Sequence, residues 1–232
     1  MARLAHRVAG TLATVSEALL DGIFPPMCLG CYEKGTWLCA SCLVNVPFVG
    51  PVRCLADSPL DALVAVSAYA HPITGTYIRA FKYQRALCLR DDVGRALLKR
   101  FAQTFPISTL FPPFPTLIVP IPMDPDRKRT RGLDHAYALA RLIQEEFFPS
   151  LPLEQALLRV RATETNASLP NAATRAINIA AAFSCEMSVE GHRIVLIDDV
   201  YTSGATMKEA AKVLKSRGAV CVMGCVMAYA EP

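Results

Sequence analysis

Apolar residues recur along this chain with two different spacings, which separate predicted helices from predicted strands. Near the amino terminus they follow one another in steps of three and four residues, at Leu4, Val8, Leu12, Val15 and Leu19. This spacing predicts an amphipathic helix that packs on the protein, with a targeting or membrane-surface segment as the alternative. The same spacing over residues 90–105 and 132–148 predicts two further helices.

Short, mostly apolar runs predict buried strands. They cover residues 60–70, 116–120, 157–161, 193–197 and 219–227. One helix is predicted to begin within residues 74–83, another to cover 206–217, and a third to end near Ala181. Because strands and helices alternate, the pattern predicts parallel pairing with right-handed crossovers. Pro47 and Pro51 predict a linker ahead of the first of these strands.

The composition first suggests a membrane protein and then argues against one. The chain has 232 residues, of which 53% are hydrophobic and 19% charged, with a formal net charge of +4 and a mean hydropathy of +0.31. The longest charge-free stretch, residues 101–123, contains six prolines. Each proline in a helix removes a backbone donor and clashes with the preceding turn. The apolar surplus therefore indicates strands buried on both faces of a parallel sheet.

Four of the nine cysteines form a metal-binding pattern. Two Cys-x2-Cys pairs, separated by seven residues, consist of Cys28, Cys31, Cys39 and Cys42. Four thiolates at this spacing complete a tetrahedral shell around Zn²⁺ and leave no open position, so the predicted zinc is structural. Gly30 and Gly35 are expected to take the tight backbone conformations of the turns. Four unrelated buried cysteines and a redox dithiol are the alternatives.

The other five cysteines show no second metal pattern and are predicted to be buried. They are Cys54, Cys88, Cys185, Cys221 and Cys225. An odd number of cysteines together with a thiolate metal site is typical of a reducing compartment, so we expect a cytoplasmic protein. The N-terminal helix and zinc finger are assigned to residues 1–50, and the larger α/β domain to residues 51–232.

The most informative segment follows the strand predicted at residues 193–197. Asp198 and Asp199 come directly after four apolar residues, at the strand end where α/β sheets bind ligands. The residues that follow are small or carry hydroxyls: Thr202, Ser203, Gly204, Ala205 and Thr206. At a helix N-terminus they would bind a monophosphate, while the two carboxylates would accept hydrogen bonds from vicinal ribose hydroxyls. A plain N-cap and two solvent-exposed acids are the alternatives, and the lack of a following lysine argues against a Walker-type site.

This segment resembles the signature with which type I phosphoribosyltransferases bind 5-phosphoribosyl diphosphate (PRPP). Further motifs extend a resemblance to the ComF family of competence and DNA-utilisation proteins over nearly the whole chain. They are the four-cysteine finger, Phe81-Lys82-Tyr83, Val119-Pro120-Ile121-Pro122, Arg131-Gly132-Leu133-Asp134-His135, Arg159-x-Arg161-x-Thr163 and Arg175-x-x-Asn178. Asp134 and His135 stand where the family has amides, and Asn166 where it has glutamine. The resemblance implies a type I phosphoribosyltransferase-like α/β fold, a parallel sheet flanked by helices, carrying a small N-terminal helix and zinc finger.

The resemblance also implies ligands and residue roles. PRPP would place its 5′-phosphate on residues 202–206 and its ribose on Asp198 and Asp199, with Mg²⁺ bridging ribose and pyrophosphate. The basic residues expected near the pyrophosphate and a flexible loop are Lys82, Arg131, Arg161 and Arg175. The implied activity is a glycosyltransferase reaction that transfers the phosphoribosyl group of PRPP to an acceptor and releases pyrophosphate; the sequence does not identify the acceptor. The implied role is DNA uptake in natural transformation, or the use of external DNA.

A binding module is the alternative to an enzyme. The same basic residues would bind single-stranded DNA, with Tyr83 or Tyr137 as stacking platforms, or would simply form a solvated face. In this alternative the protein handles DNA or serves a helicase-like partner, and the phosphoribosyl pocket is regulatory. A salvage or gluconate-related metabolic role is a third interpretation.

Overall fold

The protein was analysed as a computed structural model, which describes residues 25–54, 58–83, 87–111, 115–124, 129, 134–163 and 171–230. Backbone contacts divide the chain into two units, Met1–Asn45 and Val46–Pro232. The helix predicted over residues 4–19 lies outside the described residues. The four-cysteine segment belongs to the first unit, and the sheets belong to the second.

The second unit is built on a mostly parallel central sheet. The strands are β1 (Phe48–Val52), β2 (Ala62–Ala68), β3 (Leu117–Pro120), β4 (Leu157–Arg159), β5 (Phe183–Cys185), β6 (Arg193–Tyr201) and β7 (Cys221–Tyr229). The central sheet has the order β1-β2-β7-β6-β3, in which only the β1–β2 pair is antiparallel. The strands β4 and β5 form a separate antiparallel pair. The sheet confirms the parallel pairing predicted from strand–helix alternation.

Helices of the second unit cover both faces of this sheet. The first unit contains α1 (Ala40–Val44), and the helices of the second unit are α2 (Pro72–Tyr83), α3 (Leu87–Thr104), α4 (Ile107–Leu110), α5 (His135–Phe147), α6 (Ala172–Ile179) and α7 (Ala205–Ser216). Helix α7 packs on β5, β6 and β7, while α5 packs on β3, β6 and α3. The apolar stripe predicted for α5 is buried as expected, at Ala136, Leu139, Ala140 and Ile143.

Alternation along the strands explains why two helical layers are needed. Leu196 of β6 and Val226 of β7 share one core with Leu214 of α7. Val195 and Ile197, the alternate residues of β6, are equally buried, and successive side chains of a strand point to opposite faces. The apolar surplus of the sequence therefore fills a sheet that is buried on both sides.

A glycine on β7 lets helix α7 lie close to the sheet. A Cβ at Gly224 would contact the sulfur of Met207 on α7 and would lie 2.9 Å from Leu63 Cδ1. A Cβ at Gly224 would therefore lie closer to both side chains than van der Waals contact allows. Helix α7 could not keep its position if residue 224 were larger than glycine. This close packing holds the amino end of α7 beside the carboxyl ends of the strands.

The linker predicted from Pro47 and Pro51 is wrong, because this segment forms strand β1. Pro51 is exposed and pairs with Val64 at the edge of the sheet. An edge strand tolerates proline, since the missing N–H would otherwise point to solvent. The start of the strand is fixed by Ser67, whose buried hydroxyl donates to the Pro47 carbonyl at 2.9 Å.

Strand β6 is longer than predicted. It was expected to end at Ile197, but Val200 and Tyr201 still pair with Ala228 and Tyr229 of β7. The two polar aspartates break the apolar run without breaking the ladder, because the partner strand β7 stays apolar and extended at that point. Asp198 and Asp199 therefore lie within the last part of a strand and are held by its backbone.

Candidate functional site

The two adjacent aspartates lie at the carboxyl end of β6, between strands β3 and β7. Asp198 is in register with Val226 of β7, and the preceding residue, Ile197, is in register with Pro120 of β3. The Asp199 N–H donates to Asp198 Oδ1 at 2.8 Å. Both side chains are half-buried. Carboxylates in this position are held rigidly by the sheet and still reach a ligand above its edge.

Helix α7 begins at Ala205, six residues beyond Asp199, with an unusual amino end. Its N-cap is Gly204, with φ at +74° in the left-handed region. No side chain caps the helix, and its first turn contains no acidic residue. Thr202, Ser203 and Thr206 are half-buried around this point. A helix end without a carboxylate cap leaves its dipole and N–H groups directed at an external anion.

Tyr201 lies directly over this amino end, which the sequence did not indicate. A Cβ on Gly204 would contact the Tyr201 hydroxyl and Cζ, and would lie 2.8 Å from Cε2. The ring also stacks on Tyr229, with centroids 5.9 Å apart and planes 19° apart. Burial raises the pKa of Tyr201 above its ordinary value, and the neighbouring Cys54 and Tyr229 act in the same direction. The hydroxyl therefore stays protonated and able to donate beside the loop.

The segment after β3 starts beside the aspartates. The Ile121 N–H donates to the Ile197 carbonyl at 2.9 Å, which prolongs the β3–β6 ladder by one bond. Asp124, three residues further, is buried and forms an ion pair with Arg159, with Asp124 Oδ2 and Arg159 Nε 3.8 Å apart. Residues 121–124 thus lie at the same edge of the sheet as Asp198.

For two of the four predicted basic residues, the side chain lies outside the part of the chain that the structure describes. Arg131 and the Lys82 side chain lie outside the described residues. The residue before Lys82, Phe81, is buried and contacts the buried His135 at the start of α5, with ring centroids 5.6 Å apart. The structure therefore packs the Phe-Lys-Tyr element against the residue that ends the Arg-Gly motif.

The other two predicted basic residues belong to the α6 region. The Arg161 guanidinium donates from one nitrogen to the carbonyls of Asn178 and Ala180, at 2.6 and 2.7 Å, at the carboxyl end of α6. This is a structural contact, since cations stabilise helix carboxyl ends. Arg175 lies within α6 and is half-buried. A pyrophosphate role for either residue stays a prediction.

The substitutions of amides in the Arg-Gly motif fit the local structure. Asp134 is the N-cap of α5, and its Oδ1 accepts a hydrogen bond from the Tyr137 N–H at 3.2 Å. Aspartate and asparagine are equally good N-caps, so the exchange leaves the start of the helix intact. His135 is buried, 3% exposed, within the aromatic packing around Phe81.

The four predicted metal ligands are brought together in the first unit. The sulfur atoms of Cys28, Cys31, Cys39 and Cys42 all lie within 4.8 Å of one another. Cys31 Sγ and Cys39 Sγ are 3.7 Å apart. A tetrahedron with Zn–S bonds of about 2.3 Å has S–S edges of about 3.8 Å. The cluster can hold a metal such as zinc, and its four thiols suit that ion.

The backbone around the cluster differs from the prediction at one glycine. Gly35 has φ at +103°, as expected for a turn residue. In the first turn, however, the left-handed residue is Tyr32, with φ at 62°, whereas Gly30 is not in that region. Tyr32 follows the second cysteine, where the chain reverses so that Met27 bridges Lys34. The tyrosine side chain is 71% exposed, so only its backbone is constrained.

The electrostatics of the cluster favour a bound cation. Burial acts to raise the pKa of Cys28, but N–H groups of Cys39, Cys31 and Gly30 outweigh it and lower the pKa to about 6. The neighbouring thiol of Cys39 raises the pKa of Cys42 to about 12. Four thiols so close together cannot all ionise alone, whereas a coordinated metal ion deprotonates its thiol ligands.

The remaining cysteines are less uniformly buried than predicted. Cys185 and Cys225 are buried, and burial raises the pKa of Cys225 to about 12. Cys54 and Cys221 are half-buried instead, because they lie at the ends of strands. The Cys88 side chain lies outside the described part of the chain.

Comparison with known proteins defines first the class of the sheet domain. A family model described as phosphoribosyl transferase domain matches residues 129–232. This range contains Asp198 and Asp199, the segment 202–206 around Gly204, and helix α7. Together with the mostly parallel sheet, this match identifies a phosphoribosyl transferase domain within the second unit.

Relatives that match most of the chain then define the family. The DNA utilization protein YhgH of Salmonella typhi is 30% identical over 199 residues, covering 84% of this chain and 86% of that protein. The protein of the same name from Escherichia coli K12 is 32% identical over 171 residues, covering 73% of each chain. Competence protein F of Haemophilus influenzae is 27% identical over 201 residues, covering 83% and 85%. The chain belongs to the ComF family of competence and DNA-utilisation proteins.

Among solved structures, a purine phosphoribosyltransferase from Pyrococcus horikoshii Ot3 shows a distant likeness. The TM-score is 0.31 and the sequence identity 15%, over 58% of this chain and 69% of the other. In the part of the chain that the structure describes, no helix is both long and apolar enough to cross a lipid bilayer.

Proposed function

We propose that the carboxyl edge of the central sheet binds PRPP together with Mg²⁺. The observation that carries the proposal is the pairing of two half-buried aspartates on β6 with a glycine-capped helix that begins six residues after the second of them. A carboxylate pair selects hydroxyls or a cation, whereas a helix amino end without an acidic residue selects an anion. A phosphorylated ribose offers both kinds of group at a fixed separation.

Each part of the ligand has a corresponding part of the site. The 5′-phosphate would bind to residues 202–206, where hydroxyls and backbone N–H groups surround the start of α7. The ribose hydroxyls would donate to Asp198 and Asp199. Residues 121–124 would lie near the pyrophosphate, with Lys82, Arg131 and Arg175 as its proposed cationic partners. Arg161 is the weakest of the proposed contacts, because its guanidinium already binds the end of α6.

The residues at the edge of the sheet also fit Mg²⁺, which prefers carboxylate oxygens and keeps several of its waters. Asp198 and Asp199 would hold it directly or through water. Bound there, the ion would neutralise charge on the pyrophosphate as the bond to the ribose breaks. The protein would orient the ligand and stabilise the leaving group.

Two uses of the bound ligand follow from the family. A transfer reaction would pass the 5-phosphoribosyl group to an acceptor and release pyrophosphate. In the second, PRPP is a regulatory ligand of a protein that handles single-stranded DNA or serves a helicase-like partner. Because the relatives are named for competence and DNA utilisation, we propose that this chain acts in the use of DNA, in the reducing cytoplasm that its thiol cluster requires.

We assign the four-cysteine cluster to a structural Zn²⁺. All four ligands come from the protein, so the ion would have no open position for substrate. Metal analysis of the purified protein should give one zinc per chain, and a variant with Cys28→Ser and Cys39→Ser should give none. Full zinc content in that variant would contradict the assignment.

Calorimetric titration with PRPP, with and without Mg²⁺, tests the main proposal. We expect saturable binding that needs Mg²⁺, and at least tenfold weaker binding for Asp198→Asn or Asp199→Asn, because each loses a charged acceptor worth about 1.5–3 kcal/mol. Glu190→Gln, an exposed change just before the opposite end of β6, removes the same charge and should bind normally. Absence of binding by the parent protein would refute the proposal.

A second assay distinguishes transfer from regulation. Pyrophosphate release is measured with PRPP, Mg²⁺ and a panel of amine and base acceptors. Release that Asp198→Asn abolishes identifies a transferase. PRPP binding with no release, together with loss of transformation or of growth on DNA in cells carrying Asp198→Asn and Asp199→Asn, identifies the regulatory role.

A further inference from the structure

We propose that Arg159 is a positioning residue that ties the segment after β3 to the segment after β4, and so sets the pyrophosphate side of the site. This inference rests on the proposed function, because it concerns the same ligand. It follows from three contacts that one guanidinium makes with residues from different parts of the chain.

The first contact is a buried ion pair. Arg159 Nε lies 3.8 Å from Asp124 Oδ2, and the two side chains are only 8% and 5% exposed. Asp124 ends the described stretch that leaves β3 through Pro120 and Pro122. The two atoms are too far apart for a hydrogen bond, so the contact acts through the attraction between two buried charges, which is strong where water is excluded.

The second and third contacts are made by a terminal nitrogen and by the face of the same guanidinium. One terminal nitrogen donates to the Thr163 hydroxyl, in the segment that follows β4. The guanidinium carbon also lies 5.5 Å from the centre of the Phe183 ring on β5. Arginine suits this place because its planar group can donate in several directions while stacking on an aromatic face, which a lysine ammonium cannot do.

The contact between Arg159 and Asp124 acts on the proposed ligand site through residues 121–124, which follow β3. Ile121 is hydrogen-bonded to Ile197, directly before Asp198, while Asp124 is held by Arg159. The segment 121–124 is therefore fixed at one end by the central sheet and at the other by Arg159. The amino end of α7, where the 5′-phosphate is proposed to bind, makes neither contact. Loss of the tie should weaken pyrophosphate binding and spare phosphate binding.

Two simple probes separate these halves of the site. Inorganic pyrophosphate with Mg²⁺ reports the segment after β3, and ribose 5-phosphate reports the start of α7. Dissociation constants are measured for the parent protein and for Arg159→Met, Arg159→Lys and Asp124→Asn. Arg95→Met is the matched control, since Arg95 is also ion-paired, to Glu145 and Glu146, but joins α3 to α5.

We expect Arg159→Met and Asp124→Asn to weaken pyrophosphate binding at least tenfold and to change ribose 5-phosphate binding less than twofold. The double variant should bind pyrophosphate no more weakly than the single variant with the lower affinity. Both substitutions remove the same Arg159–Asp124 contact, so their effects should not add. Arg159→Lys should restore only part of the affinity. Thermal unfolding identifies any variant that fails to fold, and Asp124→Asn, which keeps shape and volume, then decides the question.

The outcomes distinguish the inference from the function beneath it. If the parent protein does not bind PRPP with Mg²⁺, the proposed function itself fails; if it binds PRPP, the two probes test the inference alone. If the parent binds both probes and the variants bind both as the parent does, Arg159 has no positioning role. Equal weakening of both probes would show a general structural role and would also overturn the inference.

Discussion

The contact between Tyr201 and Gly204 makes a sharp prediction about the phosphate loop. Gly204→Ala introduces a methyl group where the Tyr201 ring already lies, at a residue with φ of +74°. Gly191 has nearly the same φ, +73°, with no atom within 4 Å of a Cβ built there. Gly191→Ala is therefore a matched control that has the same backbone strain, about 1 kcal/mol, without the overlap.

The difference between the two variants measures the overlap. In Gly204→Ala the Tyr201 ring must move, which loses its stacking on Tyr229, worth about 0.5–1.5 kcal/mol, and disturbs the surrounding packing. Overpacking of this kind costs about 1–3 kcal/mol in total. For a domain of this size we expect Tm to fall by about 2–12 °C more in Gly204→Ala than in Gly191→Ala.

The assay is thermal unfolding of both variants, in the parent and in a Tyr201→Ala background. Without the ring the overlap disappears, so the two alanine variants should then lower Tm equally. Gly204→Ala should also weaken binding of ribose 5-phosphate, and Gly191→Ala should not. Equal destabilisation by the two alanines in the parent background would refute the argument, because it would show that Tyr201 does not lie on the loop.

Three further predictions concern other parts of the molecule. Asp61 accepts hydrogen bonds from the Val222 N–H and the Lys215 ammonium, at 2.6 and 2.7 Å. Partial burial acts to raise the pKa of Asp61, but these donors outweigh it and lower the pKa below its ordinary value. The stability that this carboxylate contributes is therefore present at neutral pH and lost as the pH falls through the lowered pKa. In urea unfolding, Asp61→Asn should cost on the order of 1 kcal/mol at pH 7 and less at an acidic pH below the lowered pKa, where Asp61 of the parent protein is protonated; an equal cost at both pH values would contradict this. Tyr32→Gly should tighten Zn²⁺ binding about fivefold in competition with a chelator, because it removes the strain of a left-handed backbone conformation, about 1 kcal/mol. Tyr32→Phe keeps this strain and should leave Zn²⁺ binding unchanged. Weaker Zn²⁺ binding by Tyr32→Gly would contradict the prediction. After the metal is removed with a chelator, the four cluster thiols should react with a thiol reagent faster than in the protein that retains its metal. Equal reaction rates with and without the chelator would count against a bound ion.

Much of the fold was predictable because its signals are local. The apolar runs gave β2, β3, β6 and β7, and their alternation with helices predicted parallel pairing, which the sheet confirms. Strand β1 was missed because its prolines indicate a linker unless the strand is known to lie at an edge. The end of β6 was also missed, since only pairing with Tyr229 shows that Tyr201 is still part of the strand.

The candidate site divides in the same way. The aspartate pair, the glycine loop and the four cysteines are each contained within a short segment, so their residue types and spacing suffice to propose their chemistry. The hydrogen bond between the Val222 N–H and the Asp61 carboxylate joins residues 161 positions apart. No periodicity in the sequence predicts such a pair. The motif that resembles the ComF family did contain Arg159 and Thr163, but it gave no sign that Asp124 is their partner.

The sequence by itself determined which groups are available: two carboxylates after an apolar run, a helix amino end without an acidic cap, and a four-thiol finger. It could do so because bonding along the chain fixes the distances between neighbouring residues. Only the tertiary structure decided that Tyr201 lies on Gly204 and that Arg159 lies between Asp124 and Thr163. These contacts depend on how the sheet and helices pack, because burial is collective and the partners that share a buried space are chosen by the whole fold.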